Sequence, residues 1–314
     1  MKSSCILILL IISILWVGPP SSADNVFLFS YFKGNGEDGL HLAYSEDGLN
    51  WTALKNDESF LTPMVGGDRL MRDPSIVRGP DGIFHMVWTV SWNEKVIGYA
   101  SSENLIDWSP QKEIPVMVHE EDARNSWAPE VFYDSAVDQF LIFWATTIPG
   151  RFPETEGQSD GGLNHRIYFV TTRDFQEFSR TELLYDDGFN VIDSFIVRDG
   201  DRYAMFLKDE TNKPWVPQKN IKIASADHAV GPYSKASDPI TGEYWAEGPT
   251  AIKIGDLWHL YFDRYTEGRF GLLVSKDLKE WEDRTDRLSH PEGMRHGTVF
   301  EVDRRILEGL RGVE

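Results

Sequence analysis

Apolar residues recur at every second position in four stretches of the chain, each interrupted near its middle by a turn. Three are plain: 75–88 around Gly79-Pro80-Asp81-Gly82, 195–206 around Asp199-Gly200-Asp201, and 251–262 around Gly255-Asp256. Residues 131–144, with Asp134 to Asp138 at the turn, form a fourth. Because successive side chains of a pleated strand point to opposite faces, a period of two flanking a Gly/Asp turn predicts a β-hairpin in each. No stretch carries a convincing helical period of useful length.

Between the hairpins a second pattern returns: a strand, a Ser or Thr, a short Asp- or Asn-containing turn, then an aromatic. It occurs at 43–51, 100–108, 171–178, 224–233 and 274–281, and its closing aromatics Trp51, Trp108, Phe178, Tyr233 and Trp281 are spaced 57, 70, 55 and 48. Five ordered units of roughly four strands each predict an all-β, five-bladed β-propeller; a sandwich would not return one turn motif so regularly. The first unit is short of strands, and the last is followed by a spare one at 297–302. Pairing that C-terminal strand with 26–31 of the N-terminal blade closes the ring and leaves no open edge. Residues 303–314 are then expected to be a short tail.

The 314 residues would suggest about two domains on length alone, at ~150 residues each, but the repeat assigns 24–314 to one propeller. Residues 1–23 read as a signal peptide: a lysine at position 2, an apolar run from Ile6 to Val17 too short to span a bilayer, and the small-x-small Ser21-Ser22-Ala23. The expectation is a secreted or periplasmic protein, free of the membrane after cleavage and monomeric. The one cysteine, Cys5, lies in that leader, so thiol catalysis and cysteine metal sites are excluded downstream. A net charge of −19 without a basic cluster argues against nucleic acid and favours a neutral substrate.

In a propeller the innermost strands line the central axis, so polar residues at their starts meet at one mouth. Five such residues precede the hairpins or the spare strand: Asp73, Glu130, Asp193, Glu247 and His296, spaced 57, 63, 54 and 49. Like charges gathered around one axis raise one another's pKa, which is the electrostatics of a functional site. Trp92 and Trp127, near the same mouth, are candidates for stacking on sugar faces, and 147–164 is the longest irregular insertion, of the kind that borders sites.

The ordered set Arg72-Asp73-Pro74-Ser75, Trp127-Ala128-Pro129-Glu130, Ile192-Asp193-Ser194, Glu247-Gly248-Pro249 and Arg295-His296-Gly297 resembles glycoside hydrolase family 43, the arabinanase, arabinofuranosidase and xylosidase group. The resemblance implies a secreted glycosidase of plant-type polysaccharides or oligosaccharides, cutting terminal pentose- or galactose-type residues, α-L-arabinofuranoside first among them. It implies Asp73 as general base, Glu247 as general acid, and Asp193 as the group that tunes and orients that acid. Position alone does not distinguish Asp193 from Glu130, which neighbours Asp73 in the ring, and the family pattern breaks that tie. Blade order puts Asp193 beside Glu247, so Asp193 is expected to keep Glu247 protonated while Asp73 stays ionised. Carboxyl groups about 6.5–9.5 Å apart would leave room for water and imply inversion.

Glu130 and Arg295 are assigned to substrate binding, with loop anchoring the alternative for Glu130. No cofactor is required; His296 is a candidate for a channel cation, calcium or sodium but not zinc, with water orientation or a structural role as alternatives. The rival from another class is a carbohydrate-binding propeller without catalysis; β-xylosidase, β-galactosidase and galactofuranosidase specificities are the alternatives within the family. A retaining fructan-type hydrolase would need an Asn-Asp-Pro segment on the first blade, which the sequence lacks.

Overall fold

The computed structural model describes residues 25–213 and 217–313. The expected signal peptide, residues 1–23, lies outside them. Five antiparallel sheets are arranged as the blades of a propeller, and the innermost strands of neighbouring blades pack on one another around the axis. Blade II comprises Arg72–Arg78, Phe84–Thr89, Ile97–Ser102 and Lys112–Ile114; blade III Trp127–Asp134, Gln139–Thr147, His165–Thr172 and Glu182–Tyr185. Blade IV has three strands, Val191–Asp199, Arg202–Asp209 and Asn220–Ala226, and blade V four, Glu247–Ile254, Leu257–Arg264, Arg269–Ser275 and Glu282–Asp283.

Blade I joins the two ends of the described chain. Its order is Val299–Asp303, Asn25–Tyr31, His41–Ser45, Thr52–Ala53, with Leu28 opposite Phe300 and Val26 opposite Val302. The spare strand thus closes the ring with the partner expected of it. The tail does not follow expectation: Arg304–Arg311 is an α-helix whose Leu307 and Leu310 are fully buried against Val26, Leu28 and Val302. Eight residues with two buried leucines are too few for a periodicity signal, so packing on the closing blade, not propensity, explains the helix. A chain cut before Gly297 loses Val299, Phe300, Val302, Leu307 and Leu310, all buried. At roughly 1.5–3 kcal/mol each, that rivals the roughly 5–15 kcal/mol stability of a whole domain. Such a truncation is expected to lose the cooperative thermal transition seen by circular dichroism.

The recurring turn has one physical basis. In blades I, II, III and V a hydroxyl (Ser45, Ser102, Thr172, Ser275) accepts the backbone N–H groups two and three residues on. The side-chain oxygen of Asp47, Asn104, Asp174 or Asp277 then does the same one step later. Gly48, Leu105, Phe175 and Leu278 take the left-handed conformation between the two. Blade IV has Ala226 in the hydroxyl slot, and it is the blade with three strands; 234–240 covers its edge with isolated backbone bonds to Ser225, Ile223 and Ile221.

Period-two alternation here does not separate core from solvent. It divides each strand between two neighbours: Met86 and Trp88 pack between blades I and II while Val87 packs between II and III, and Phe206 faces blade V while Met205 and Leu207 face blade III. Five apolar seams between blades therefore hold the ring, and polar side chains are left for the axis.

Candidate active site

Four inner strands begin with the same irregularity, an extra residue between the paired positions Arg72/Ser75, Trp127/Glu130, Ile192/Phe195 and Glu247/Thr250. The residue inside it is left-handed in each case: Asp73 (φ 53°), Ala128 (44°), Asp193 (47°) and Gly248 (57°). For the three residues that carry a Cβ this conformation costs on the order of 1–3 kcal/mol. Such a bulge re-aims a side chain, here into the axis. Gly248 is required on a second ground, since a Cβ there would stand 2.3 Å from the His296 ring. Gly297 is required by close approach alone: a Cβ would lie 1.8 Å from the Ser30 carbonyl oxygen.

These bulges correct the expected common register. Aligned on them, and with Arg295 bridging Phe32 in blade I, the strand starts give three levels. Arg72, Trp127, Ile192, Glu247 and Arg295 form the rim; Asp73, Ala128, Asp193, Gly248 and His296 come next; Ser75, Glu130, Phe195, Thr250 and Thr298 lie deeper. Glu130 is therefore not level with Asp73 and does not line the pocket. It sits beneath, accepting from Ser75 Oγ at 2.5 Å and Thr298 Oγ1 at 3.3 Å, a channel anchor in place of the expected substrate contact.

A cavity of about 460 Å³ opens at this mouth, lined among others by Asp73, Asp193, Glu247, His296, Lys208 and Trp127. Asp73 accepts from Thr89 Oγ1 at 2.9 Å and faces His296 Nδ1 at 3.3 Å. Burial alone would raise its pKa, but the imidazolium, with Arg72 and Thr89 in support, outweighs burial and holds it at about 2. His296 turns its other nitrogen to Glu130 at 3.8 Å; burial opposes its charge, yet the two carboxylates raise it well above the usual histidine range. Among the described residues no group of three or more His, Cys, Asp or Glu is placed to hold a metal.

Asp193 Oδ2 accepts the Gly248 N–H at 3.1 Å. Burial, and then the neighbouring Glu247 and Asp73, outweigh His296 and Lys208 and lift its pKa to about 6. Glu247 is different. Lys208 Nζ donates to its Oε2 and Arg295 Nη2 to its Oε1, both at 2.9 Å, and Arg295 is itself held by Asp263 at 2.7 Å. Burial raises Glu247, but Lys208 and Arg295 overcome it and keep the carboxyl below its ordinary range. The Asp193 carboxyl is thus pushed up and the Glu247 carboxyl down, and the titration of the two belongs to the pair. Arg295 reaches Glu247 and Asp263, so its observed partners are acids of the site.

Trp92 and Trp127 both line the pocket, edge to face with ring centres 5.4 Å apart. Arg72 lies between Phe32 and Trp92, 4.7 and 4.2 Å from their ring centres, and shares Asn35 Oδ1 with the Trp92 indole N–H. The insertion runs at the pocket end of blade III and is fastened by the fully buried Arg166, which binds Asp186, Asn164 and Thr155. Sequence reading missed Lys208, Asp263 and Glu210, and placed Arg72 only within a motif, without a role. The first two stand opposite the rim positions Ile192 and Glu247 on the second strands of blades IV and V; a charged residue ending an otherwise apolar strand is the signal that marks them.

Strained acids and clamped cations around one mouth of a five-bladed propeller are the architecture of a glycosidase of the family-43 kind. The chain belongs to the family of probable glycosyl hydrolase domains related to glycoside hydrolase family 43, whose model matches residues 24–308. A curated relative, an α-L-arabinofuranosidase of Bifidobacterium longum subsp. longum, is 24% identical over 261 residues, covering 70% of this chain and 24% of the relative. The chain thus spans about a quarter of the length of that relative. Similar solved structures include a Cellvibrio cellulosa α-L-arabinanase complexed with arabinohexaose (TM-score 0.56, 14% identity, covering 87% of this chain and 97% of that one). Another is an α-L-arabinofuranosidase from Lactobacillus brevis (TM-score 0.54, 17% identity, covering 68% and 72%). These likenesses establish the fold.

Proposed function

We propose that this protein hydrolyses terminal pentose- or galactose-type glycosides, α-L-arabinofuranosides foremost, from plant-type oligosaccharides or polysaccharides with inversion at the anomeric carbon. The observation that carries the reading is the convergence of Asp73, Asp193 and Glu247 on one pocket, with the Asp73 carboxyl held down by the His296 imidazole and the Asp193 carboxyl pushed up by burial. Asp73 takes a proton from water as the water oxygen bonds to the anomeric carbon. The bond to the departing oxygen breaks, and Glu247 supplies the proton that oxygen needs. Negative charge on Asp193 and negative charge on Glu247 oppose each other, which favours a proton on the pair before that step. The arabinofuranoside preference rests on the names of the relatives above, and a neutral sugar suits a pocket whose cations already face acids.

Secretion is proposed from the leader at 1–23; no helix among the described residues is long and apolar enough to cross a membrane. The test is a panel of aryl furanosides and pyranosides of arabinose, xylose and galactose, with the product anomer read by NMR before mutarotation. Cleavage of an arabinofuranoside with the opposite anomer released first is expected; retained configuration would refute the mechanism, and binding without cleavage would favour a carbohydrate-binding propeller.

A further inference from the structure

We propose that Lys208 is a positioning residue for Glu247, fixing the orientation of its carboxyl group and setting the pH range over which it can deliver a proton to the departing oxygen. The proposal rests on the assignment of Glu247 as the acid. Lys208 occupies, in blade IV, the place that Thr89, Ala145 and Asp263 hold in blades II, III and V, opposite the rim residue of the inner strand. Its side chain is 2% exposed. The ammonium lies 2.9 Å from Glu247 Oε2, 2.7 Å from Glu210 Oε2 and 4.8 Å from the centre of the Tyr265 ring, so its directions are taken by two acids and an aromatic face. Glu210 is fastened from its other side by Lys219. With Arg295 on Oε1, both oxygens of Glu247 are gripped by cations from different parts of the ring, and the carboxyl plane is fixed.

The charged and titratable groups around this pair are Arg295, His296, Asp193, Asp263, Glu210 and Tyr265, with His165 further off. Lys208 is shared between Glu247 and a second acid, Glu210, which competes for it, as Arg295 is shared between Glu247 and Asp263. As Glu247 gives up its proton, negative charge develops on an oxygen at which the ammonium is already aimed. A preorganised charge of this kind lowers the barrier to protonating a poor leaving group. Its cost is that Glu247 releases its proton at lower pH.

The wild-type kcat/KM is expected to fall as pH rises past about 6, where the Asp193/Glu247 pair loses its proton. In Lys208→Met this basic limb is expected to move up by about 1–3 pH units, the scale of removing an opposite charge in contact. The low-pH plateau should fall for alkyl glycosides and little for activated aryl glycosides. Glu210→Gln, which frees Lys208 to act on Glu247 alone, should move the limb down, and Lys208→Arg should restore the wild-type profile. Melting curves establish which variants are folded, with Lys208→Gln as the milder replacement if Lys208→Met is not. Opposite movements support the proposal; a limb that stays put, or moves the same way, in both folded variants overturns it. Failure of the acid assignment is distinguishable, because Glu247→Gln would then show no dependence on the leaving group.

Discussion

Glutamine at position 247 is expected to slow cleavage of alkyl or sugar-to-sugar glycosides by about 10²- to 10⁴-fold while leaving activated aryl glycosides far less affected. An alkoxide cannot depart without a proton, whereas a nitrophenolate can. The glutamine carbonyl can still accept from Lys208 or Arg295, but the amide then sets N–H against the other cation, so Glu247→Ala is the necessary control. Measurement of kcat/KM across a series of leaving groups reads the effect directly: a flat wild-type dependence should become steep in both variants. Parallel loss on all substrates would remove Glu247 from the acid role and assign it to packing of the Lys208–Arg295 clamp.

The ring and its closure were legible because they depend on local chemistry repeated along the chain. A hydroxyl and a carboxylate or amide two residues apart satisfy four backbone N–H groups without help from elsewhere, and four of the five copies form the same turn. The copy at 224–233 lacks that hydroxyl, and its blade lacks the outer strand. The level of each residue along the axis was harder, because a bulge adds a residue and decouples distance from the hairpin from height in the channel. The prolines carried the information: setting Pro74, Pro129 and Pro249 in one column puts Asp73 beside Ala128 and Gly248, and drops Glu130 to the level of Ser75. The charge balance at Glu247 was out of reach of any local pattern. It depends on Lys208, which comes from the second strand of blade IV, and on Arg295, which immediately precedes His296, meeting on opposite oxygens of one carboxyl.

Asparagine or alanine at position 73 is expected to reduce cleavage of activated and unactivated glycosides alike, by about 10²- to 10⁴-fold, because the attacking water must lose a proton in both. The environment of Asp73 supports this role and not an acid's: with its pKa at about 2 it is ionised at any pH where the protein works, and Thr89 and His296 fix its orientation. Loss of the carboxylate also leaves His296 facing Glu130 alone, so a shift in melting temperature accompanies the substitution and has to be separated from the chemical effect. Azide makes that separation, since an anion needs no deprotonation and fits space vacated by a carboxylate. In Asp73→Ala, added azide should restore turnover of an activated glycoside and yield a glycosyl azide of inverted configuration, formed as the anomeric carbon–oxygen bond breaks. In Glu247→Ala, where water activation is intact, azide should give no such gain. Rescue confined to the Glu247 variant would show that the two roles are exchanged, and an azide product of retained configuration would show two successive displacements and refute the inverting mechanism.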